Sequence, residues 1–229
     1  FVFDGVNEYI TISSLATSGN DLAISFWGKL PNLSSGASYI IAGDSNNYIY
    51  YNSNEIMYAK INGSTAYIIT NAGGVPNVFD GNWHYFVVSK VGSTVTFWFD
   101  GVSYANAGTG TTGGFTATHI GAYITGASGV NGNLDDVAIF EADKTGSINT
   151  FYNSGVPTNL SAESDLIGYW IFDDATFSTN WTVPDNSTNS NTGTSANMDE
   201  VDSVLETPTN LYSAVSQNMD EADKVEDTP

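Results

Sequence analysis

The chain has 229 residues, 41% of them hydrophobic and 13% aromatic, enough to bury a large core in one all-β domain or two small domains. Its 25 acids face only five lysines and no arginine, a formal net charge of −20, which excludes a nucleic-acid role because phosphate binding needs clustered Lys or Arg, and disfavours an anionic membrane surface. There is no cysteine for disulfides or thiolate metal sites, and no run of about 18 apolar residues that could insert in a bilayer.

From Phe1 to about Phe140 short alternating segments are broken by Gly, Asn, Asp and Ser, the pattern of an antiparallel sandwich or barrel. Phe1 already reads as strand, which suggests a module cut from something longer. The predicted strands are "EYITI", "LAISFWGKL", "SYIIAG", "NYIYYN", "EIMYAKI", "TAYIIT", "HYFVVSK", "TVTFWFDG", "FTATHIGAY" and "GNLDDVAIF". In residues 80–101 parity puts Trp83, Tyr85 and Val87 on one face and His84, Phe86 and Val88 on the other, both largely apolar, as in central strands covered on two sides.

One short helix follows. In "DKTGSINTFYNSG", Thr145 can cap it, Ile148, Phe151 and Tyr152 fall at i, i+3 and i+4, and Gly155 can close it in the left-handed conformation. After Pro157, "LIGYWIF" reads as an apolar strand, and "NWTVPDNSTNSNTGTSANMDE" as loop. The end holds a repeat, "SANMDEVDSVLETP" from Ser195 recurring as "SQNMDEADKVEDTP" from Ser216. With nine acids and one lysine from Ala196 onward, this segment predicts an extended acidic tail, either a disordered one or a strap that docks on a neighbouring subunit. The chain thus divides into a sandwich at 1–157, a late strand and loop at 158–195 closing this sandwich or a neighbour, and a tail at 196–229.

Five pieces in order, "FVFDGVNEYITI", "LAISFWGKL", "DGNWHYFVVSKVGSTVTFWFDGV", "HIGAY" with "NGNLDDVAIF", and "FYNSG", resemble the laminin-G-like and concanavalin-A-like lectin and glucanase domains. The resemblance implies a jelly-roll sandwich of two curved antiparallel sheets. The late "LIGYWIFDD" departs from it, since in many relatives such a strand precedes "FDG". The late segment and the "NMDEAD" repeat also resemble virion structural proteins of marine tailed phages.

Relatives that are glycosidases carry Glu-x-Asp-x-x-Glu, because hydrolysis needs two flanking carboxylates; Glu8, Glu55, Glu141 and Glu163 stand alone, and a non-enzyme is expected. His84 and His119 lack zinc spacing, and no glycine-flanked nucleophile elbow supports a triad. Relatives commonly hold a structural calcium ion with an aspartate at the place of Asp135, so the resemblance implies Asp135 with help from Asp4. Period two would turn Asp135 inward with Val137 and Ile139, and the alternative to an ion is a carboxylate accepting backbone N–H bonds.

Sugar recognition requires an exposed aromatic face flanked by hydrogen-bonding side chains, and a surface rich in Ser, Thr and Asn suits such neutral partners. "DSNNYIYYNSNEIMY" is the richest stretch, with Tyr48, Tyr50, Tyr51 and Tyr58 beside Asn46, Asn47, Asn52 and Asn54; ordinary strand packing is the alternative. Tyr48, Tyr50, Tyr58 and Asn47 are the candidate ligand contacts, together with Trp98, which shares a face with Thr94, Thr96 and Asp100. The expected function is a non-catalytic module on a virion surface, or a secreted or cell-surface one, that binds host glycans weakly through many copies and associates with itself and with other virion subunits. The alternative is a purely structural role without a sugar ligand.

Overall fold

In the described part of the computed structural model, residues 1–203 and 208, the predicted alternation becomes strand after strand. Along the chain run β1 (Val2–Asp4), β2 (Tyr9–Ala16), β3 (Leu22–Pro31), β4 (Ala37–Asp44), β5 (Asn47–Asn52), β6 (Ile56–Ile61), β7 (Ser64–Ile69), β8 (Asp80–Val91), β9 (Thr94–Phe99), β10 (Val102–Ala105), β11 (Thr116–Ile120), β12 (Asn131–Phe140), helix α1 (Ile148–Tyr152), β13 (Leu166–Trp170), β14 (Thr176–Phe177), β15 (Trp181–Val183) and β16 (Gly193–Ala196). They form two antiparallel sheets. One has the order β1-β12-β3-β8-β9-β10, with β13 also on β12; the other runs β14-β15-β16-β2-β11-β4-β5-β6-β7.

The core lies between the sheets. Phe26, Phe86, Phe97 and Phe99 from the first meet Ile41, Ile49, Tyr51, Met57 and Ile68 from the second, all essentially inaccessible. Each such side chain contributes about 1.5–3 kcal/mol on leaving water, so this layer outweighs any surface ion pair. A second apolar layer covers the outer face of the first sheet. There Trp27, Trp83, Tyr85, Val87 and Phe140 pack under Ile148 and Phe151 of α1 and Leu160. Both faces of β8 are therefore buried, as its sequence predicts. The hairpin β8–β9 turns at Gly92 and Ser93, and Asp100 and Gly101 make the next turn with φ of 51° and 81°, a type I′ pair that Asp and Gly tolerate.

Three expectations need correction, and one open alternative is decided. The helix is preceded by Ser147 without a side-chain cap, because Thr145 bonds instead to Asp143; Asn153, at φ 46°, closes the α-helix itself, and Gly155, at positive φ as expected, ends the single 3-10 turn that follows. The segment read as loop from Asn180 holds β15 and β16, which with β14 just before them extend the second sheet beyond β2. Strands of two to four residues are too short to display a period; they are fixed by pairing and by burial of Trp181 and Val183. The start of the acidic repeat is anchored on this sandwich rather than extended: Met198 is buried, Asn197 Nδ2 donates to the Asn7 carbonyl, and Trp181 Nε1 donates to the Asp199 carbonyl. The second copy, Ser216–Pro229, lies outside the described residues. Finally, β13 pairs with β12 of this same sandwich, Ala138 opposite Tyr169, so "LIGYW" closes its own sheet.

Candidate functional site

Alternation in β5 and β6 turns Ile49, Tyr51, Met57 and Ala59 into the core and leaves Tyr48, Tyr50, Tyr58 and Lys60 half-buried on the outer face of the nine-stranded sheet. Register then builds what no single strand shows. Tyr39 of β4 lies opposite Tyr50, Tyr50 opposite Tyr58, and Tyr58 opposite Tyr67 of β7, a row of four tyrosines crossing four strands. Successive ring centroids are 4.9, 4.6 and 5.7 Å apart. Tyr48 and Tyr123 pack on the Tyr39 end, and Lys60 Nζ sits 5.3 Å from the centre of the Tyr48 ring while donating to the Ser45 carbonyl at 2.9 Å. Further across the sheet, Tyr9 lies on His119 with centroids 5.2 Å apart.

The stacking decides what the face offers. Tyr50 and Tyr58 are 6° from parallel at 4.6 Å, closer than two rings lying flat side by side can come, so these two rings overlap. Tyr39 stacks on Tyr50 at 22°, while Tyr67 is tilted 36° from Tyr58. The aromatic surface expected from sequence is therefore partly spent on stacking within the row. Among the described residues none of the six hydroxyls makes a hydrogen bond. Burial, with Tyr58 next to it, pushes the Tyr50 phenol up to about 12, and burial raises Tyr39 as well, so both stay protonated and able to donate.

The other candidates lie elsewhere. Asn47 points away from the tyrosines and is 6% exposed: its amide donates to both oxygens of Asp44 at 3.1 Å and its oxygen accepts the Asn62 N–H at 2.9 Å, a turn clamp. Tyr51 is inside, stacked on Phe79 at 4.3 Å. Trp98 is on the outer face of the other sheet, packed against the layer under α1, with its Nε1 donating to Ser89 Oγ at 2.8 Å. The sequence missed Tyr39, Tyr67 and Tyr123; the first two sit at outward positions of "SYIIAG" and "TAYIIT", but only register shows that they join the row.

Asp4 and Asp135 are not brought together. Asp4 pairs opposite Asn131, four positions along β12 from Asp135, a separation of about 13 Å at strand rise. Asp135 lies at a bulge, where Asp136 has φ 49° and the pairing of β12 with β3 shifts, so simple alternation fails there. Only 3% exposed, its carboxylate accepts the N–H of Asp136 at 2.8 Å and of Phe172 at 3.0 Å, filling the gap on β12 between the start of β1, where Val2 faces Asn133, and the end of β13, where Trp170 faces Val137. Those two aspartates do not fit a common calcium ion, and no group of three His, Asp or Glu side chains suited to a metal occurs among the described residues.

Beside it, Asp136 Oδ1 accepts from the Tyr169 hydroxyl at 2.6 Å; burial and the neighbouring Asp135 push its carboxyl up to about 7. His84, 7% exposed, ties the two Asp-Gly turns together: Nδ1 lies 2.7 Å from Asp100 and Nε2 3.1 Å from Asp80. Burial pulls its pKa down, but the two carboxylates outweigh burial and hold it above the ordinary imidazole value.

Two antiparallel sheets packed face to face around one apolar core define a β-sandwich. The model of the concanavalin A-like lectin/glucanases superfamily matches residues 4–147, and the chain belongs to that family. No curated protein matches the sequence. Among solved structures, a "putative carbohydrate binding protein" from Bacteroides ovatus ATCC 8483 superposes with a TM-score of 0.56 at 13% identity, over 85% of this chain and 59% of that one. Botulinum neurotoxin type C, whose cell entry depends on two ganglioside molecules, is similar over 64% of this chain and 42% of its own at 17% identity and a TM-score of 0.42. A Trypanosoma rangeli sialidase is similar over 58% and 22% at 12% identity and 0.40. The first confirms the fold; the latter two are too distant to bear on function. This chain spans less than two thirds of the length of each.

Proposed function

We infer that the protein is a non-catalytic glycan-binding module displayed on a virion or cell surface, with the tyrosine face of the nine-stranded sheet as its binding surface. The observation that carries this is the row Tyr39–Tyr50–Tyr58–Tyr67, whose hydroxyls have no partner among the described residues. A sugar hydroxyl both donates and accepts, as a phenol does, so a line of phenols at strand spacing matches a neutral polysaccharide laid across the strands. Open, shallow contact of this kind is weak at one copy and becomes useful when many copies are linked on a particle.

Charge supports a neutral ligand. A net charge of −20 repels polyanionic glycans, and Lys60, the one lysine on these strands, is already engaged with Tyr48 and Ser45. The direct test is a glycan array with the intact protein in multivalent form. Binding to neutral bacterial or algal polysaccharides is expected, and a blank array would remove the adhesion role and leave an assembly role without a sugar ligand.

A further inference from the structure

At one rim of the sandwich lies a cavity of about 290 Å³. Four separate segments wall it: the Asp4–Gly5 turn, residues 32–35 between β3 and β4, the start of β4, and the residues entering β12. It adjoins the tyrosine row through β4, which places Ala37 and Ser38 in the wall and Tyr39 in the row. We propose that this cavity is a second subsite, which holds a single neutral sugar ring, the terminal residue of the glycan that the tyrosine face supports; the inference rests on that function.

The walls select the ligand. Asp4 contributes a carboxylate fixed by the Val6 N–H at 2.8 Å, with acceptor capacity to spare. Asn32, Ser34 and Ser35 are exposed and make no hydrogen bond among the described residues, and Asn131 adds an amide. The set therefore offers donors and acceptors in comparable number, which is the demand of a ring carrying several hydroxyls. An anion is repelled by Asp4, and an apolar ligand would strand the amides and hydroxyls without partners.

Size agrees. Pockets for drug-sized ligands begin at about 300 Å³, so this one accommodates one ring and no more. The site is also built in advance. Ser38, 1% exposed, donates to the Gly129 carbonyl at 2.9 Å and accepts the Asn131 N–H at 3.2 Å, which locks the β4 wall to the β12 wall and lowers the ordering cost on binding.

The test is an amide chemical-shift titration of the intact protein with the methyl glycosides of glucose, galactose and mannose. At least one of them is expected to move the resonances of residues 32–38 and 129–131 in a saturable way. Asn32→Ala and Ser35→Ala, both at exposed positions, should each weaken that binding at least tenfold, while Val156→Ala, at an exposed position elsewhere, leaves it unchanged. Shifts confined to the tyrosine strands would overturn the cavity and keep the face; saturable shifts at the cavity support it. No saturable shift with any of the three, or full binding in both cavity variants, overturns the proposal.

Discussion

The rings of Tyr50 and Tyr58 face one another across β5 and β6, 4.6 Å apart and 6° from parallel, and the row they anchor is built by sheet register. Half-buried, they combine strand packing with hydroxyls that have no partner among the described residues. The two roles can be separated by experiment.

For stability, Tyr50→Ala and Tyr58→Ala should each destabilise modestly, and their double-mutant cycle should give a coupling of about 0.5–1.5 kcal/mol, the worth of a stacked aromatic pair. Urea denaturation of the four proteins measures it. A coupling near zero would mean that the rings do not stack in solution.

His84 should make stability depend on pH. Its folded pKa is raised above the ordinary 6.5 by Asp100 and Asp80 acting against burial. The imidazolium therefore contributes stability that is fully present below 6.5 and is lost as pH rises through the folded value. Denaturation midpoints should fall as pH rises from 6 through that window, and His84→Gln should flatten this part of the profile. An unchanged profile in the variant contradicts the clamp.

Asp136 acts in the same direction over a lower range. Burial and Asp135 raise its carboxyl from 3.8 to about 7, so the native state favours the protonated form, and stability declines as pH rises from about 4 to 7. Asp136→Asn keeps an acceptor for the Tyr169 hydroxyl and tolerates the left-handed backbone. It should be stabilising by about 2–4 kcal/mol at pH 8 and nearly neutral at pH 4. Equal effects at both pH values would place the charge elsewhere.

Asp135 serves the backbone. Asp135→Ala leaves the N–H groups of Asp136 and Phe172 without partners in a buried place and should cost about 2–4 kcal/mol, with Asp135→Asn costing less. EDTA should leave the melting temperature of the parent protein within about 1 °C. A larger drop would show that an ion is part of the fold.

Strand positions were legible because alternation survives wherever one face is buried, and both faces of β8 could be read from its apolar run. Parity also separated Tyr50 from Tyr51 in principle, but the sign of the face came only from the fold. Asp135 was misplaced because a one-residue bulge resets the period, and β15 and β16 were missed because Trp181–Val183 and Gly193–Ala196 are shorter than one repeat of the pattern. Asn47 was chosen by neighbourhood in sequence and Trp98 by the face it shares with Thr94, Thr96 and Asp100; parity does not show the side-chain bonds they make to Asp44 and Ser89. The tyrosine row depends on the register of four successive strands and the rim cavity on segments distant in sequence, and composition carries no record of either.

The most direct test of the binding face is calorimetric titration of the parent and of Tyr50→Ala/Tyr58→Ala with the neutral polysaccharide selected on the array. Loss of affinity by at least tenfold in a folded double variant is the predicted result. Undiminished affinity in that variant would contradict the tyrosine face as the site.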